Sequence, residues 1–202
     1  VAQAMGLANA DQVAQRIDQA ITEILANQSA NGAFGLWRPS SGDLWLDAYV
    51  TDFLSRARGR GHNVPDRAFQ SAMDNLLNRV NYAPDFEDGG EDIAYALMVL
   101  AREGAAAVGD LRYFADERAT AFSTPLGAAQ LGAALAFYGD QTRADRMFTQ
   151  ASAQLSRRIN ADEAPLWRID YGTRLRDSAA VLTLAVEAGS NAVDRDLLTR
   201  HI

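Results

Sequence analysis

The chain has no cysteine, no lysine and only two histidines among its 202 residues. Without cysteine it can form no disulfide, no thiolate metal site and no cysteine nucleophile of its own, and its compartment is left open. The two histidines, His62 and His201, stand alone. No His/Glu/Asp grouping has metal-ligand spacing, and no glycine-rich loop follows a strand to hold phosphate, so no metal and no cofactor are expected. His62 lies beside glycines at a helix end, where cations are favoured, and reads as a surface cap. No apolar run is long enough to cross a membrane, and Val1-Ala2-Gln3-Ala4-Met5 lacks the basic start and apolar stretch of a signal peptide. The net charge of −7 argues against nucleic acid as a partner, because phosphate binding needs a basic face and the cations here are scattered among more numerous acids. All nineteen basic residues are arginine. The nucleotide composition of the source is the simplest account of that bias.

What the chain does have is helical periodicity. At 48% hydrophobic content it is long enough for one substantial core and short for two ordinary domains, so residues 1–202 read as a single all-α domain. Asp11 is placed to cap a first helix with Val13, Ile17, Ile21, Ile24 and Leu25 on one face. Asn31-Gly32 stops the chain at an aromatic turn, Phe34 to Trp37. Asp43 caps the second helix, whose expected buried stripe is Leu46, Tyr49, Val50, Phe53, Leu54 and Ala57. Pro65 launches a third helix. The fourth, from about Glu91 to Glu103, is apolar on nearly all sides and belongs inside. A short helix over Asp110–Arg118 follows. Thr124-Pro125 opens another almost wholly apolar helix, Asp140 a more polar one, and a last buried helix spans about Leu175 to Glu187.

Helices rich in Ala and Leu end at Gly59, Gly104, Gly139 and Gly189, roughly 43 residues apart on average, within the period range of helical-hairpin arrays. Buried helices alternating with amphipathic ones suggest an α/α toroid, with an open solenoid second. The chain starts without an initiator methionine and stops at Arg200-His201-Ile202 inside a periodic segment, so it is expected to be cut from a longer protein and incomplete at both ends.

Two groups of residues are candidates for chemistry. Asp85, Glu87, Asp88, Glu91 and Asp92 form the densest acidic cluster, in a loop entering a buried helix. A glycosidase-like acid and base pair would sit in such a place, and so would a plain solvated loop with acids favoured at a helix start. The aromatic set Phe34, Trp37, Trp45, Tyr49 and Trp167 reads either as core or as the lining of an apolar pocket. No serine or threonine nucleophile has a plausible base.

Asn31-Gly32-Ala33-Phe34-Gly35-Leu36-Trp37 followed by Leu44-Trp45-Leu46-Asp47-Ala48-Tyr49-Val50 resembles the thioester domain of bacterial alpha-2-macroglobulins, which is related to that of complement components. The likeness continues through Asp92-Ile93-Ala94-Tyr95-Ala96-Leu97, Thr124-Pro125-Leu126, Gln130-Leu131-Gly132, Asp170-Tyr171-Gly172 and Leu175-Arg176-Asp177. The Trp-Leu-x-Ala-aromatic segment is its most specific piece. The resemblance implies an α/α toroid within a periplasmic or envelope-associated protein, membrane-anchored through the parent chain, that traps proteases. A protease cuts a bait region elsewhere, the molecule rearranges, and a buried thioester acylates the attacker. Expected partners are therefore target proteases and the other domains of the parent chain, with no direct membrane insertion of this segment.

The same resemblance implies a thioester joining Cys to Gln in a Cys-x-Glu-Gln motif, expected just upstream of Val1; this chain has neither the motif nor a cysteine. Trp37, Trp45 and Tyr49 become candidates for the apolar shielding around it. In some complement relatives a histidine in the loop before the fourth helix transfers the acyl group to hydroxyls. The matching loop here, Ala83 to Gly90, holds Asp85, Glu87 and Asp88 but no histidine, which favours direct attack by amines. For an amine-seeking domain, a lysine-free surface would also avoid self-acylation. The expected function is a trap module with no complete catalytic set. The alternatives are a toroidal enzyme, such as a glycoside hydrolase using the Asp85–Asp92 acids, and a solenoid scaffold.

Overall fold

The structure is a computed structural model that describes residues 10–83, 86, 89–160, 170 and 172–201. Those residues form helices and no strand; the extended pairings are isolated bridges, Gln28 with Phe34 and Gly89 with Phe122. The all-α class expected from the sequence is what is found. The chain divides into two compact units, Val1–Arg79 and Val80–Ile202.

The first unit contains α1 (Ala10–Leu25), α2 (Leu44–Gly59) and most of α3 (Asp66–Asn81). The α2 start follows the sequence: the Asp43 side chain accepts from the Trp45 N–H at 2.9 Å, satisfying one orphan donor of the first turn. The buried face of α2 differs from the expected stripe. Leu44, Asp47, Ala48, Val50, Thr51, Leu54, Ser55 and Ala57 are buried, whereas Tyr49 is 53% exposed and Leu46 and Phe53 are half-buried. Val50, Leu54 and Ala57 are inward as expected, and a carboxylate, Asp47, joins them because it has hydrogen-bond partners at that inward position.

The second unit contains α4 (Glu91–Arg102), α5 (Val108–Glu117), a 3-10 turn (Ala119–Ala121), α6 (Pro125–Phe137), α7 (Gln141–Asn160), α8 (Arg174–Glu187) and α9 (Arg195–His201). Its centre is α6, which packs against α4, α5, α7 and α8. That position explains a sequence with no polar face: Pro125 through Leu135 are all buried. Thr124 caps it as expected, accepting from the Gly127 N–H at 3.1 Å. Gly132 has no side chain because a Cβ there would stand 3.2 Å from Phe148 and the Ala144 carbonyl on α7. The inward residues of α7, Ala144, Met147, Phe148, Ala151 and Leu155, are those the periodicity predicts. In α8, Val186 is 51% exposed, while Asp177 and Ser178 occupy buried positions.

α2, α4, α6 and α8 end alike. Gly61, Gly104, Gly139 and Gly189 each adopt a left-handed φ of 63° to 86°, and the residue after each donates back to a carbonyl in the last turn, as His62 N does to Ala57 O. At the first of these ends, where the sequence offers both Gly59 and Gly61 as stops, Gly59 is the last helical residue and Gly61 takes the left-handed conformation.

Candidate functional site

The turn that closes α1 is built to be rigid. Ser29 N donates to Ala33 O at 2.8 Å, Gln28 Nε2 reaches Ala68 O on α3 at 2.9 Å, and Gly32 sits at φ 89°. A Cβ on Gly32 would lie 1.9 Å from the Ser71 carbonyl, so only glycine allows this approach to α3. Phe34 is driven into the core at 1% exposure, and its backbone N–H donates to Asp47 Oδ1 at 2.8 Å.

Asp47 is the hub of this region. It is fully buried; Oδ2 accepts from Asn75 Nδ2 at 2.9 Å and from the Arg79 guanidinium at 3.4 Å, and Arg79 also donates to Gly42 O at 2.8 Å. Burial pushes the carboxyl up from its ordinary value, while the Phe34 N–H, Asn75 and Arg79 pull the other way. One side chain thus ties the turn, the entry to α2 and the face of α3 together. The sequence reading missed it; the signal was there in the spacing 44, 47/48, 51, 54/55, which is helical once Asp47 is counted as an inward residue.

With Phe34 anchored, Leu36 and Trp37 are carried outward, to 67% and 93% exposure. Trp45 and Tyr49, one helical turn apart on α2, stack with ring centroids 5.3 Å apart and planes 12° from parallel. Of the aromatic set, then, Phe34 is core; Trp37 and Tyr49 face solvent, and Trp45 is half-buried. Trp167 and the acidic-loop candidates Asp85, Glu87 and Asp88 lie outside the described residues.

The two other members of the acidic cluster are at the start of α4. Asp92 accepts from the Ile93 N–H at 2.8 Å, and Glu91 is buried with Ser123 Oγ 3.5 Å from its Oε1. At the α8 entry, Arg176 bridges Asp170 (2.7 Å) and Asp177 (3.4 Å), both carboxylates being buried. His62 is paired with Asp18 at 2.8 Å, tying the end of α2 to α1. Among the described residues, no group of His, Asp and Glu is arranged to hold a metal ion, and no helix is long and apolar enough to cross a membrane.

No protein-family model matches the chain. It is 37% identical over 181 residues to alpha-2-macroglobulin of Escherichia coli (strain K12), an alignment covering 85% of this chain and 11% of that protein. The structure superposes on E. coli alpha-2-macroglobulin activated by porcine elastase with a TM-score of 0.82 at 31% identity, covering 98% of this chain and 18% of that one. It superposes equally on Salmonella alpha-2-macroglobulin reacted with methylamine, with a TM-score of 0.82, 31% identity, and 98% and 13% coverage. The chain therefore spans about a ninth of the length of its E. coli relative.

Proposed function

From the premise that this chain is homologous to a segment of bacterial alpha-2-macroglobulin, we propose that it is the helical scaffold of a thioester domain, closed as an α/α toroid. In this reading the parent protein is periplasmic or envelope-anchored and traps proteases for bacterial defence. The observation that carries this is the homology over 85% of the chain, joined to the fact that a relative of the same fold is described as reacted with a primary amine, methylamine. The chain has no cysteine, so the thiol half of the thioester is supplied from elsewhere in the parent protein. The segment is a trap component and performs no turnover of its own.

The geometry suits that role. A thioester survives in water only where apolar groups exclude solvent and competing nucleophiles. The turn held by Asp47 displays Leu36 and Trp37, and α2 displays the stacked Trp45–Tyr49 pair, on a base that cannot easily shift. We assign Trp37, Trp45 and Tyr49 as its shielding residues. Asp85, Glu87 and Asp88 then occupy the loop where hydroxyl transfer would need a histidine, and amines are the acceptors.

The test uses the full-length parent protein. Treated with elastase, it should release one thiol and carry the protease in a conjugate that survives denaturation, and methylamine added beforehand should itself release that thiol and leave elastase none to release and no conjugate to form. Thiol-free, purely noncovalent capture would overturn the thioester assignment. Replacing Trp37 and Tyr49 with alanine should speed methylamine uptake by the unactivated protein by about thirtyfold, if each exposed ring withholds on the order of 1 kcal/mol of solvent access; an unchanged rate would remove them from the shield.

A further inference from the structure

Among the described residues, two groups of arginines stand apart. In one, the planar fork is used: Arg143 spans Asp116 and Asp140, Arg176 spans Asp170 and Asp177, and Arg58 bonds Asp66 while lying 4.7 Å over the Phe69 ring. Lysine cannot reproduce these contacts. In the other, Arg16, Arg38, Arg60, Arg67, Arg157 and Arg200 are exposed, and their side chains make no hydrogen bond, ion pair or ring contact among the described residues. Nothing in the structure asks for a guanidinium at these six positions; an ammonium would solvate as well. Arginine nevertheless stands at every one.

We propose that the exclusive use of arginine keeps this domain free of primary amines, so that the acyl group is spent on an external amine and never on the domain itself. The inference rests on the thioester reading above. The reaction it prevents is simple. A lysine Nζ attacks the thioester carbonyl carbon, a C–N bond forms as the C–S bond breaks, and the sulfur leaves as thiolate and takes up the proton the amine gives away, leaving an internal amide and a free thiol. An ordinary lysine is unprotonated in roughly one molecule in a few thousand at neutral pH. Tethering offsets that rarity, because a group on a short flexible tether has an effective concentration of about millimolar, and a positioned one far more. Guanidinium stays protonated and does not compete. Arg38 is the most telling position: it is exposed and follows Trp37, one of the aromatics assigned to the shield.

The experiment replaces Arg16, Arg38, Arg60, Arg67, Arg157 and Arg200 with lysine in the full-length parent protein, with a matching six-glutamine variant and R38K alone as companions. Each is activated with elastase in methylamine at about a tenth of the millimolar tethered concentration. The lysine variant should release its thiol normally, incorporate about tenfold less methylamine than wild type, and yield a peptide in which one of the new lysines is amide-linked to the acyl group. The glutamine variant should match wild type. Wild-type incorporation by the lysine variant, or a fall without an internal amide, overturns the proposal and leaves coding bias as the cause of the composition. If wild type itself takes up no methylamine and releases no thiol, the thioester reading fails and this inference with it, a result the wild-type arm shows alone. The lysine substitutions conserve charge at exposed sites, and loss of folding in any variant would appear as a changed circular dichroism spectrum; R38K then decides by the same two readouts.

Discussion

Asp47 illustrates how much one residue can organise. Its two oxygens accept from groups 13, 28 and 32 positions away in sequence, so it joins three segments that no local preference would bring together. Removing it leaves the Phe34 N–H and Asn75 amide buried without an acceptor, and the Arg79 charge half-buried without its partner. Asp47→Ala should therefore cost about 3 kcal/mol, well above a typical surface substitution, as measured by urea unfolding. A cost below about 1 kcal/mol would mean that the hub carries little of the turn's stability. The same residue shows why sequence reading found Val50, Leu54 and Ala57 on the α2 face but included the exposed Tyr49 and left out Asp47. Periodicity counts apolar side chains, and so it selected Tyr49 and passed over a carboxylate. Asp47 is admitted inside only because distant donors meet it there, and those donors cannot be inferred from α2 alone.

At the level of elements, what was legible was what is local. Asp43 and Thr124 cap where their types and the following residues say they should, and α4 and α6 are buried as their uniformly apolar sequences require. What was not legible is what long-range approach decides. Gly32 and Gly104 look alike in sequence, and both have left-handed φ values of 89° and 72°. Yet a Cβ on Gly32 would enter the Ser71 carbonyl at 1.9 Å, while one on Gly104 would meet nothing within 4 Å. Gly104→Ala should cost about 1 kcal/mol, the backbone strain alone, whereas Gly32→Ala should add displacement of α3 and cost about 3 kcal/mol or more. Thermal unfolding of the pair checks the contrast, and equal costs would show that the turn can move away from α3.

The charge balance belongs to the whole molecule. With 26 acids against nineteen arginines, protonation of carboxylates dominates the response to acid. Asp116 resists protonation well below the ordinary range: hydrogen bonds from Arg143 and then Arg146 hold its carboxyl down at about 2, below the ordinary 3.8. A depressed native value means that this network, which joins α5 to α7, contributes stability above about pH 4 and loses it as the pH falls towards 2. NMR titration of the Asp116 carboxyl should give a midpoint near 2, returning towards 3.8 in Arg143→Gln. A wild-type midpoint near 4 would mean that the guanidinium forks do not persist in solution. None of this network was visible in the sequence, because its members lie 27 and 30 positions apart and only the packing of α5 on α7 brings them into reach.

The four left-handed glycine corners that close α2, α4, α6 and α8 have one more consequence. Around Gly61, Gly104, Gly139 and Gly189, no atom of the described residues other than those of the neighbouring backbone stands within 4 Å of where a side chain would begin. Each corner favours glycine for its backbone conformation alone, since among the described residues nothing packs over it. These are the natural attachment points of the scaffold: a dye, an epitope or a short added loop placed immediately after any of them would report from outside the packed helices without a share in their stability.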